Sequence, residues 1–148
     1  MAFHFALEAV LRLRRSQERV ERLKLEAIVS EQEQARARLR ELADRSLELH
    51  RQFQTRLGDG VAGSEVQFEN ERETNANSVL NGLRTRLAQL DLRRVAQVQV
   101  FCEVRRNREL IESLRLAQLN AYRMEQGRRE QQELDDLFLM RQAHKNEE

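Results

Sequence analysis

The apolar positions of this chain recur at alternating steps of three and four residues over most of its length, broken once near the middle. The repeat is clearest at Leu25, Ile28, Gln32, Ala35, Leu39, Leu42, Ser46, Leu49 and Phe53, and again at Leu80, Leu83, Leu87, Leu90, Arg94, Gln97, Phe101, Val104, Arg108 and Ile111. Spacing of this kind puts one stripe along one side of a helix, as a coiled-coil seam requires. Two further apolar runs fall in a different phase. Leu13, Val20, Leu23 and Ala27 run into the start of the first heptad, and Leu110, Leu114, Ala117, Ala121 and Met124 run on from the end of the second. Taken as seam, they predict a slip of phase at each place, absorbed by local changes in supercoil.

Between the two heptads lies Leu57-Gly58-Asp59-Gly60-Val61-Ala62-Gly63-Ser64, with three of the five glycines of a 148-residue chain that has no proline. A helix is told to stop here: Gly58 suits the left-handed conformation that ends a helix, and Gly60 and Gly63 add freedom for a reversal. Ser64 with Gln67 three residues on reads as a capping-box start. The stretch 64–78 is weakly apolar, and the sequence alone leaves open whether it is a continuous helix. The prediction is an all-α single domain over 1–148, two long helices forming an antiparallel coiled-coil hairpin. Its first helix covers about 3–57, the turn 58–63, the second helix about 64–142 and a frayed tail 143–148. Folding at the turn sets Leu7 opposite Leu114 and leaves the second arm overhanging the first. The first arm is expected to be roughly 80 Å long at ~1.5 Å per residue.

Composition agrees with a long, thin molecule. Leu, Ala, Glu, Gln and Arg, all good helix formers, dominate, and 34% of the residues are charged. The 26 basic and 25 acidic side chains are interspersed, giving a net charge of +1, so no basic excess argues for nucleic acid. They read as a solvated surface laced with pairs such as Glu18 with Arg22. The lone cysteine, Cys102, excludes an internal disulfide, fits a reducing compartment and is expected on or near the packed face. Within the chain as given, no secretory signal and no membrane-length apolar run is seen.

The sequence presents no constellation of catalytic residues. Gly58, Gly60 and Gly63 spell G-x-G-x-x-G, but no strand precedes them and no βαβ unit surrounds them, so a phosphate cradle is not supported. His4, His50 and His144 are far apart, with no metal-ligand spacing. Carboxylates abound, yet a two-helix hairpin has no concave interior to set two pKa values apart. The expectation is a non-enzyme with no cofactor, no metal and no small-molecule substrate. Two apolar surpluses remain: Phe3, Phe5, Ala6, Leu7, Val10, Leu11 and Leu13 at one end, and Leu134, Leu137, Phe138, Leu139 and Met140 at the other. Both lie near the free end of the predicted hairpin, wider than a two-helix seam needs, as for contact with a partner; for the first of them a frayed end that covers its own hairpin is kept as the alternative.

The opening Phe3-His4-Phe5-Ala6-Leu7-Glu8-Ala9-Val10-Leu11, the turn Gly58-Asp59-Gly60-Val61-Ala62, and the ending Tyr122-Arg123-Met124-Glu125-Gln126 through Gln131-Gln132-Glu133-Leu134-Asp135-Asp136-Leu137 together resemble the FliJ family of the flagellar type III export apparatus. The resemblance covers nearly the whole length. It implies a hairpin similar to the central stalk of rotary ATPases, cytoplasmic and peripheral to the inner membrane at the flagellar base. It implies three kinds of partner: the ring of the export ATPase FliI, the export gate protein FlhA, and export chaperones. The ATPase-binding end would comprise Phe3, Phe5, Leu7, Leu11, Arg14, Leu137, Phe138 and Arg141, and the gate-binding region Leu42, Leu49, Val79 and Leu83. Arg38, Arg45 and Arg72 stand where polar or aromatic side chains are more typical of the family. Two alternatives are kept: a self-associating structural coiled coil paired in parallel, and the YscO-like counterpart of virulence secretion.

Overall fold

The structure, a computed structural model, describes residues 3–146. It is all-α: helix α1 spans Glu8–Asp59 and helix α2 spans Gly63–Asn146, packed against each other with no strand among the described residues. The weakly apolar stretch 64–78 is helical without interruption. The turn is tighter than expected, only residues 60–62 lying outside both helices. The left-handed conformation belongs to Gly60, at φ 90°, and not to Gly58, which is helical. Gly60 N–H donates to the Leu57 carbonyl at 3.2 Å, closing the last turn of α1. Ser64 is not the cap of α2, because the Ala62 carbonyl already accepts from the N–H groups of Glu65 and Val66 at 3.0 and 3.3 Å. Arg56 and Glu65 clasp the two helices beside the turn.

The chain forms two compact units, residues 19–102, and residues 1–18 with 103–148. In the turn-side unit every residue of the heptad from Leu25 to Phe53 is buried or half-buried, as are Leu80, Leu83, Leu87, Leu90, Gln97 and Phe101 of α2; only Arg94 is exposed. Ile28, Leu80 and Leu90 form its apolar core. Opposite chain direction is fixed by the crossing partners: Gln32 donates to Asp91 at 2.6 Å, Gln97 to the Glu21 carboxylate at 2.6 Å, and Arg86 pairs with Glu31.

In the other unit Phe5 and Leu11 are buried, Phe3 stacks at a tilt on Tyr122 with ring centres 5.7 Å apart, and Arg115 reaches Glu8 at 3.2 Å. That pairing is one residue from the expected match of Leu7 with Leu114. The two phase slips do not occur. Leu13, Val20, Leu23 and Ala27 are exposed, Leu13 at 56%, and so are Leu110, Leu114, Ala117, Ala121 and Met124. Stepping the heptad back from Leu25 lands instead on Glu21, Glu18, Arg14 and Leu11, all buried or half-buried, and forward from Ile111 on Arg115. The heptad continues back to Leu11 on α1 and forward to Arg115 on α2, beyond which Gln118 is exposed and Leu119, Tyr122 and Gln126 are the half-buried positions; charged residues stand at several of these seam positions. The buried and half-buried charges Glu18, Glu21, Arg108 and Arg115 are tolerated because Arg108 pairs with Glu18, Arg115 with Glu8, and Glu21 accepts from Gln97 and Lys24. Glu18, expected at the surface, is one of them.

Candidate functional site: the free end of the hairpin

Within the unit of residues 1–18 and 103–148 the seam holds a linked set of charges. Arg108 donates to Glu18 at 2.6 and 3.3 Å and also binds Glu112, which takes Arg15 at 2.8 Å. Hydrogen bonds from Arg15 and Arg108 hold the Glu112 carboxyl below the usual carboxylate range. Bonds to Glu18 and Glu112 push the Arg108 guanidinium higher still, so it is cationic at every pH of interest. This set is structural in its chemistry: a saturated ion network offers no free base or acid. Sequence reasoning missed it, although the signal was present, since Glu18, Arg108 and Arg115 sit at seven-residue multiples from heptad leucines.

The seam ends near Tyr122 to Gln126. From Gly127 to Lys145 every residue of α2 is exposed, so among the described residues no other helix covers this stretch. It nevertheless carries Leu134, Leu137, Phe138, Leu139 and Met140, all more than half exposed. Residues 137–140 are consecutive, and at 100° per residue they point to all sides of the helix. A helix apolar all round is one that asks to be surrounded.

The residues expected at the ATPase-binding end divide accordingly. Phe5 and Leu11 are buried, and Phe3, Leu7 and Arg14 are half-buried, so these help close the seam. Leu137, Phe138 and Arg141 are free on the overhang. Of the residues expected to meet the gate, Leu42, Leu49 and Leu83 lie in the seam and Val79 alone projects into solvent. Arg72 is tied to Glu69, whose carboxyl it holds below its usual range. Cys102, expected near the packed face, is exposed. Among the described residues no group of His, Cys, Asp or Glu could hold a metal ion, and no helix is long and apolar enough to cross a membrane.

A family model described as "Flagellar FliJ protein" matches residues 3–148. No curated protein and no solved structure matches the chain. The match takes in the turn, both helices and the overhang. The chain therefore belongs to the FliJ family of flagellar proteins, and is an export-associated component built as a helical hairpin.

Proposed function

We propose that this protein acts in flagellar export as a stalk: the overhanging end of α2 enters the ring of the export ATPase and stimulates ATP hydrolysis. The observation that carries this is the apolar girdle at residues 137–140 on a helix that its own hairpin leaves uncovered. A flat groove would need one apolar side, whereas the bore of a ring contacts all of them. Arg141 sits one residue beyond the girdle, exposed, where it meets acidic loops of the ring. The turn-side unit faces the export gate, with Val79 as its projecting apolar contact, and the exposed stripes serve export chaperones. The protein works at the cytoplasmic face of the inner membrane without crossing it.

The test is ATP hydrolysis by the export ATPase of the same organism, with and without this protein, at concentrations where the ring is partly assembled. The rate rises with the parent protein and stays at baseline with Leu137→Asp/Phe138→Asp, whose side chains are exposed and whose loss leaves the seam intact. Equal stimulation by the variant would sink the assignment of this end. Replacing Leu11 would not serve, because it is core.

A further inference from the structure

The seam of α1 has one gap. Between Leu11 and Leu25 its positions are Arg14, Glu18 and Glu21, the longest run of α1 seam positions without an apolar residue. Elsewhere the polar seam residues of the first heptad, Gln32 and Ser46, stand singly between apolar ones. Arg14 donates to Gln17 on its own helix at 3.2 Å, Glu18 meets Arg108, and Glu21 accepts from Gln97 at 2.6 Å. The boundary between the two compact units falls at this gap, after Glu18 on α1 and before Glu103 on α2.

The hold on residues 3–18 is short and largely ionic. Its apolar part is Phe5 and Leu11, both buried, with Phe3 stacked on Tyr122. The rest is three ion pairs that cross to α2: Glu8 with Arg115 at 3.2 Å, Arg15 with Glu112 at 2.8 Å, and Glu18 with Arg108 at 2.6 Å. The first two lie open to solvent, with Arg115 and Glu8 each 35% exposed, Arg15 49% and Glu112 31%. Salt screens pairs of that kind. The third is shielded, but a shielded ion pair holds a seam no better than two apolar residues of the same volume would. Leucines at 18 and 108 would make a stronger seam and a permanent one.

We infer that residues 3–18 are a releasable strap, which lifts off residues 103–126 of α2 as one cooperative unit while the turn-side unit stays closed. The turn-side unit is kept shut by Ile28, Leu80 and Leu90 and by the half-buried Leu39, Leu42, Leu49 and Phe53. Lifting the strap uncovers Val104, Ile111, Leu119 and Tyr122, the half-buried apolar positions of α2. The uncovered part of α2 then grows from residues 127–145 to residues 104–145, or from roughly 30 to 60 Å at 1.5 Å per residue. The charges in the seam are what make this reversible. Each ion that leaves its partner is rehydrated, whereas a parted leucine is not.

The strap follows from the hairpin alone. Its use rests on the export reading, in which a longer free length of α2 is available to the ring. Hydrogen exchange involves no ATPase, so a protein that fails to stimulate ATP hydrolysis would sink the export reading and leave the strap standing.

The test is amide hydrogen–deuterium exchange of the full chain, resolved by peptide, at about 0.1 M and about 1 M NaCl, between which the screening length falls from ~10 Å to ~3 Å. Residues 12–18, freed from the seam, are too short a helical end to protect themselves. They should exchange faster than residues 28–46 at both concentrations. High salt should speed them a further three- to tenfold, about what two exposed ion pairs contribute, and change residues 28–46 less than about twofold. Glu112→Gln, which leaves the pair of Glu18 with Arg108 in place, should speed residues 12–18 at low salt. Glu18→Leu/Arg108→Leu, which closes the gap in the seam, should slow them towards residues 28–46. Equal exchange of the two segments in the parent at both salt concentrations would overturn the inference, since the hairpin would then open as one body. So would a salt response shared equally by both segments, or exchange of residues 12–18 that neither variant alters.

Discussion

Gln32 is the residue whose replacement tests the seam most directly. It is fully buried between the helices, its Nε2 donates to Asp91 Oδ1 at 2.6 Å, and its Oε1 has no protein partner. Gln32→Leu keeps the volume and exchanges the amide for two methyl groups, worth ~0.8 kcal/mol each when buried. Removing an unpaired buried carbonyl recovers about 1 kcal/mol or more, and losing the bond to Asp91 costs about 1 kcal/mol. That cost is small because the Asp91 side chain is 60% exposed and keeps water and Arg36. The net is a gain of about 1–2 kcal/mol, or ~3–6 °C in Tm for a chain of this size. Urea unfolding followed by far-UV circular dichroism should show a higher midpoint with an unchanged slope. A midpoint equal to or below the parent's would refute the argument that Gln32 is a net cost, retained because a polar seam position fixes register.

Other outcomes follow from the same geometry. Leu11→Ala should cost ~2–4 kcal/mol and Leu13→Ala less than ~0.5 kcal/mol in unfolding free energy, since one is core and the other surface; similar values would mean that the seam phase is wrong. The carboxyls of Glu112, Glu69 and Glu21 are lowered from 4.5 by hydrogen bonds, chiefly from Arg15, Arg72 and Lys24. Their folded values lie below the unfolded ones, so their contribution is complete above about pH 4.5 and is lost as pH falls through the folded values. Urea midpoints should hold from about pH 7 to about pH 5 and drop below about pH 4; a midpoint that rises on acidification would contradict this sign. Gly60→Ala should destabilise by about 1 kcal/mol through its positive φ, whereas Gly58→Ala, helical and in open space, should stabilise by about 0.4–1 kcal/mol; thermal melts of the two variants decide it.

The sequence alone determined the all-helical character, the single reversal and the seam from Leu25 to Phe53. Helix-forming composition without proline leaves the chain no other regular structure, and a heptad of seven apolar residues in nine admits one buried face. The seam phase at residues 11–21 and beyond Ile111 was decided only by the tertiary structure. There the more apolar stripe faces outward, and Arg14, Glu18, Arg108 and Arg115 are turned in. Hydrophobicity along one helix could not reveal that choice, because what permits a charge in the seam is its partner on the other helix. Arg108 finds Glu18 and Arg115 finds Glu8 only after the chain has doubled back. The rejected stripe, Leu110 to Met124, was thereby left at the surface.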